Sequence, residues 1–287
     1  MVRGRETALE THLSSRHRYL KPELWFQFPE LLMTTLANAA DVLRCFTPQR
    51  LELTLTDVVA LLGTPKSSTS RLLRAMRDAG FLEMAPGSRR YRPGMLVFEL
   101  GTTYRRASTL LARADEAVGR LSRRFGHTGY VSVLDGADVV GVAHHEGSST
   151  LRVGTPIGRR LVAFASSTGR SLLARRTDAE VRTLHPGPLR PANPNSPADM
   201  TALLVMLAEV RRQGFASSLE EANPGVGGLA VAVGDRATGE EVSLNLVYPI
   251  ATVSASERQA MLHALQAEAQ EIATLVDDPW HATRKAA

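Results

Sequence analysis

The sequence predicts an α+β protein of two domains: an N-terminal winged helix-turn-helix joined by a helical connector to a C-terminal domain of mixed strands and helices. Three observations carry this. Two short capped helices meet across Gly63 and lead into an arginine-bearing hairpin. At Gly126 the apolar pattern changes from helical to alternating. The charge is split too, with 20 Lys/Arg against 12 Asp/Glu in residues 1–125 and 14 against 17 in residues 126–287. A basic front half and a mildly acidic back half point to a polyanion as partner of the front.

Residues 1–30 lack periodicity and end in LWFQFPE, an arm expected to be partly disordered with Trp25, Phe26 and Phe28 docking on a neighbour. Residues 31–94 make the winged domain. Its first helix, 31–46, places Leu32, Leu36, Ala39, Ala40, Leu43 and Phe46 on one face, and Thr47-Pro48 stops it. Thr54 and Asp57 form a capping box, Val58, Leu61 and Leu62 face inward, and Gly63 closes the second helix. Thr64 is expected to cap the third helix and Pro65 to take its first position; Leu72, Leu73, Met76 and Ala79 then face inward. FLEM and RRYR flank the turn Pro86-Gly87-Ser88, the wing.

Residues 95–125 read as a helical linker in two pieces around Gly101. The C-terminal domain, 126–276, opens with TGYVSVLDG and ADVVGVAHHEG, strands joined by Asp135-Gly136. LRVGTPIGRRLV looks extended, and FASSTGRSLLARR starts a helix with serine and threonine at its mouth. After a Pro/Asn-rich loop at 185–197 come a helix (198–213), two strand regions, a last helix (254–276) and a tail (277–287).

Composition excludes several classes. No run approaches the roughly 18 apolar residues of a membrane helix. Arg3, Glu6 and Glu10 do not make a secretory leader, and the single Cys45 allows no internal disulfide; both suit the cytoplasm. Cys45 reads as core packing, and no cofactor or metal set is expected.

GTPKSSTS is the sharpest local motif. A phosphate loop needs a second glycine before the lysine and a strand ahead of it, and both are missing. The same residues suit the start of a helix laid on DNA. Lys66, Ser67, Ser68 and Thr69 fill the first turn, Arg71 and Arg74 reach further, and Arg89, Arg90 and Arg92 lie on the wing. Thr54, at the mouth of the preceding helix, joins this set of DNA contacts. The catalytic alternatives are weaker. His144 and His145 point to opposite strand faces, one expected buried and one exposed. Ser166 and Ser167 in ASSTG have no placed histidine, and Glu220-Glu221 reads as solvent-facing. The rival reading is an enzyme, a hydrolase or redox catalyst in the back half, with the winged helix used only for assembly.

Several strings together resemble the IclR family of bacterial transcription regulators, from about Leu31 to Val276. LTLTDVVALLGTPKSSTSRLLRAMRDAGFLE looks like the family's helix-turn-helix, and YRPG with MLVFELG like its wing exit and linker, with Pro93 where leucine is common. RRLVAFASSTGRSLLA is similar to the start of the first effector-domain helix, with Arg170 in place of the usual lysine. GFASSLEEANPGVGGLAVAVGD matches the signature spacing at Gly214, Ser218, Glu221, Leu229, Ala230, Val233 and Asp235 and departs at Gly228 and Gly234. The resemblance implies a GAF-like effector-binding domain and self-association as a dimer or tetramer on a near-palindromic operator in double-stranded DNA. It also implies a small-molecule effector, an organic acid, held by backbone N–H groups at Ser167 and Thr168. Val153, Leu161, Ser218, Gly228, Asn245 and Val247 would supply side chains. Gly228 and Val247 suggest a roomier, less polar site than the family's usual one, fitted to an aromatic or acyl acid.

Overall fold

The computed structural model describes residues 35–47, 49–149, 156–190 and 193–284. The readings for the N-terminal arm, Pro48 and Val153 lie outside the described residues. The chain divides into two compact units between Leu100 and Gly101.

In the first unit, helices α1 (Thr35–Arg44), α2 (Leu55–Leu62) and α3 (Lys66–Asp78) precede the antiparallel pair β1 (Leu82–Met84) and β2 (Tyr91–Pro93). Val42, Cys45, Leu53, Val58, Leu73, Met76 and Leu82 form its core. Burial pushes the Cys45 thiol pKa up, which keeps it protonated and inert. Both halves of the Thr54–Asp57 capping box are present, and Gly63 takes the left-handed conformation (φ 64°) that ends α2 and lets α3 start at once.

Two local expectations are corrected. Pro65, not Thr64, holds the cap position of α3, and no side chain caps the helix. The Thr64 hydroxyl turns inward instead, 2.7 Å from that of Thr69, which also lies 2.9 Å from Pro65 O. Leu36, Leu61 and Ala79, expected to face inward, are exposed. Each lies in or beyond a terminal turn of its helix, outside the packed seam.

The expected linker also divides differently. α4 (Met95–Ala107) runs through Gly101 and buries no residue. The break falls at Ser108, whose hydroxyl caps α5 (Thr109–Phe125) by accepting from Leu111 N. α5 is a core helix of the second unit, burying Leu110, Leu111, Ala114, Ala117, Val118 and Leu121.

That second unit is built on a six-stranded antiparallel sheet, ordered β5-β4-β3-β8-β7-β6. Its strands are β3 (Thr128–Asp135), β4 (Asp138–His145), β5 (Arg160–Val162), β6 (Ala216–Leu219), β7 (Val226–Gly234) and β8 (Glu241–Pro249). One face packs on α5 and α9 (Ala255–Leu275). The other carries α6 (Ser167–Leu173), α7 (Asp178–Leu184) and α8 (Met200–Gln213). The string GGLAVAVG on β7 explains the asymmetry. Leu229, Val231 and Val233 enter the α5/α9 core, while the small alternate residues let α6, buried along its whole length, lie close to the sheet.

The expected tail is structured at its start. Asp278 accepts from Gly234 N (2.8 Å), and α10 (Pro279–Arg284) follows with His281 Nε2 donating to Ala232 O (2.9 Å).

Candidate nucleic-acid interface and ligand pocket

α3 shows solvent a cationic and hydroxylic face. Lys66, Ser67, Ser68, Arg71 and Arg74 are exposed, while Leu73 and Met76 hold the core. No acid sits in the first turn and no side chain caps it, so the opening N–H groups and the helix dipole remain available to an anion. Lys66, Arg71 and Arg74 form no ion pair among the described residues. Thr69, expected on this face, is buried at 3% exposure and spends its hydroxyl on Thr64 and Pro65; it is a packing residue.

On the wing, the three arginines differ. Arg92 pairs with Glu83 across β1–β2 (2.6 Å), and Arg90 lies 3.9 Å from Asp57. Arg89 is exposed and has no ion-pair partner among the described residues. Thr54 accepts from Asp57 N (3.2 Å) and so serves first as a cap. The Thr54 backbone N–H in turn donates to the Asp57 carboxylate (2.8 Å), and this bond, helped by the Thr54 hydroxyl, holds that carboxyl below its usual pKa.

In the second unit a cavity of about 70 Å³ opens between the mouth of α6 and the sheet. Leu161, Ser167, Thr168, Ser218, Gly228, Asn245 and Val247 line it. Strand register makes this possible: Ser218 pairs with Gly228, and Gly228 with Val247, setting three residues that span 29 positions of the chain in one row. At the helix mouth Ser166 Oγ accepts from Gly169 N (3.1 Å), which leaves the N–H groups of Ser167 and Thr168 as unused first-turn donors among the described residues.

Within a mostly apolar lining, the floor carries a row of polar groups. Ser218 Oγ donates to Ser167 Oγ (3.2 Å), and Asn245 Nδ2 donates to the same oxygen (3.4 Å) and to Leu229 O (3.0 Å). A Cβ on residue 228 would stand 2.6 Å from Ser167 Oγ and 3.0 Å from Ser218 Oγ. Gly228 therefore leaves room for these two hydroxyls.

Other lining residues were not anticipated, among them the polar Tyr130, Ser132, Arg159 and Asn223 and the apolar Val139, Pro156, Ala222 and Val226. Among the described residues, Arg159 is the only charged one in the lining. Its neighbour Arg160 is held by Asp135 (2.7 Å) and Asp138 (3.2 Å), so the two adjacent arginines have separate jobs. Nothing local in the run GRRLV distinguishes them.

Beneath the pocket Arg170, 1% exposed, donates to Phe164 O (3.0 Å), Ser217 O (2.6 Å) and both carboxylate oxygens of Glu221. Glu221 was expected in solvent but is buried; only Glu220 is exposed, with φ at 56°. The histidine pair does split between faces, but both members are half-buried. His144 stacks on Tyr130 of the pocket wall (centroids 5.9 Å apart), and His145 Nε2 lies 2.9 Å from Asp115. No group of three or more His, Cys, Asp or Glu that could hold a metal occurs among the described residues.

Both units match known domains. Residues 35–86 match the IclR helix-turn-helix domain, and residues 102–274 match the C-terminal domain of the bacterial transcriptional regulator IclR. The chain belongs to the IclR family. The HTH-type transcriptional regulator XynR of Escherichia coli is 32% identical to this IclR-family chain over 203 residues, covering 70% of it and 81% of XynR. BhcR of Paracoccus denitrificans, also an HTH-type transcriptional regulator, is 28% identical over 225 residues, covering 77% and 79% of the two chains. The crystal structure of an IclR regulator from Silicibacter superposes with a TM-score of 0.76 at 25% identity, over 86% of this chain and 99% of that one. This IclR-family protein is a transcriptional regulator with a DNA-binding and an effector-binding domain, and its named relatives are regulators, not enzymes.

Proposed function

We propose that this regulator senses a small organic acid in the second-unit cavity and uses it to change how tightly α3 and the wing hold a specific DNA site. The observation that carries the ligand class is the lining. Among the described residues its one charged side chain is Arg159, no acidic residue shares it, and two free helix-mouth N–H groups border it. A coupling of about 1–3 kcal/mol between effector and DNA is enough to change occupancy 5- to 150-fold. Self-association as a dimer or tetramer would set two α3 helices about 34 Å apart on a near-palindromic operator. A cytoplasmic location suits such a protein, and no helix among the described residues is long and apolar enough to cross a membrane.

Two measurements test this reading. A thermal-shift screen of organic acids should yield a compound that raises the melting temperature and also changes DNA affinity; a stabilising acid with no effect on DNA would break the link. Arg71→Ala should weaken binding to the selected operator by about 1–3 kcal/mol while disturbing non-specific binding far less. An unchanged footprint and affinity would remove Arg71 from the base-reading set.

A further inference from the structure

The hydrogen-bond account of the cavity leaves a specific surplus. Ser167 Oγ accepts from both Ser218 and Asn245, so what it has left to offer is its own proton. Asn245 spends both Nδ2 protons, on Ser167 Oγ and Leu229 O, which leaves Oδ1 as an acceptor. The hydroxyls of Ser132 and Thr168 have no hydrogen-bond partner among the described residues, although both line the cavity. All four side chains are more than nine-tenths buried: Ser132 is 5% exposed, Ser167 2%, Thr168 8% and Asn245 2%. Buried polar groups cost free energy until something pairs with them. An aromatic or acyl chain laid over this floor would leave them unpaired, whereas ligand hydroxyls, each both donor and acceptor, match the mixed set.

We propose that the effector is a short hydroxylated carboxylic acid of the aldonate kind, its carboxylate facing Arg159 and its hydroxyls paired with Ser132, Ser167, Thr168 and Asn245. This rests on the reading of the cavity as the effector site and adds the chemistry that the site selects. The carboxylate alone does not give that selectivity, because Arg159 would meet any acid. Discrimination comes from the floor, where a site built to pair a ligand hydroxyl rejects the analogue that lacks it.

The test is calorimetric titration of the full chain with matched probes. Gluconate is set against hexanoate (same carbon count, no hydroxyls), glycerate against propanoate, and sorbitol and benzoate complete the set. At least one hydroxylated acid should bind about tenfold or more tighter than its unhydroxylated partner, than sorbitol and than benzoate. Thr168→Val, close in shape, should remove most of that preference, and Arg159→Gln should weaken the acids while leaving sorbitol unaffected. If Thr168→Val does not fold, the probe pairs on the unaltered chain still decide the matter. Hexanoate, propanoate or benzoate binding as tightly as the hydroxylated acids, with Arg159→Gln still weakening them, overturns the proposal and leaves the acid-sensing site intact. If no acid binds, or if Arg159→Gln and Thr168→Val both leave every affinity unchanged, the cavity is not an acid site and the wider reading falls as well.

Discussion

Glu221→Ala is expected to destabilise the C-terminal unit by about 3–5 kcal/mol, measured as a fall in the urea midpoint. The cause is the charge left behind. Arg170 is fully buried, and without Glu221 its guanidinium keeps only the carbonyls of Phe164 and Ser217 and no counter-charge. Glu221→Gln should lose less, because the amide oxygen still accepts from Arg170. Replacing both partners together, Arg170→Met with Glu221→Leu, should recover much of the loss, since the desolvation cost of the ions disappears with them. The effect extends to the site. Arg170 Nη2 holds Ser217 O, next to the Ser218 hydroxyl on the cavity floor, so effector affinity should fall along with stability. A Glu221→Ala chain within 1 kcal/mol of the parent would show that the pair adds little.

The second large effect concerns the Arg175–Asp278 pair. Asp278 has no exposed side-chain surface and accepts from both terminal guanidinium nitrogens of Arg175, at 2.9 and 3.0 Å. Burial pushes its carboxyl pKa up. The Arg175 hydrogen bonds, the N–H groups of Gly234 and Trp280 and the arginine charge outweigh that, and the net shift is downward. A carboxyl whose folded pKa lies below its unfolded value of about 3.9 contributes its full stability above that value. The contribution is lost as pH falls through the folded pKa. Asp278→Asn should therefore cost about 3 kcal/mol near pH 7, tempered by Glu241, which still faces Arg175 at 3.0 Å. It should also flatten the acid limb of the stability curve below about pH 4. Parallel curves for parent and variant would mean that Asp278 is not the group titrating there.

Much of the fold was legible because its signals are local. The Thr54–Asp57 box, Gly63 with positive φ, the Asp135-Gly136 hairpin and the Ser166 cap each depend on residues within about one turn of one another. The seven cavity residues that the structure gathers were named through family resemblance, not through chemistry visible in any one string. The cap of α3 was misplaced by one residue because Pro65, extended at ψ 136°, and Thr64, drawn inward by Thr69, are indistinguishable from a standard start by letters alone.

By itself the sequence determined the order of the elements, the cationic face of α3 and the helix mouth at FASSTGR, since each follows from backbone preference and side-chain period over a few residues. Tertiary structure decided which polar groups are spent and which are free. Glu221 meets Arg170 across 51 residues, Asp278 meets Arg175 across 103, and Asp135 and Asp138 occupy Arg160 but not Arg159. Strand register brings Ser218, Gly228 and Val247 into one row, and only there does a glycine become space for two hydroxyls. The physical reason is that a side chain's chemistry depends on what remains of its charge and hydrogen bonds once its partners are counted, and those partners are distant in the chain.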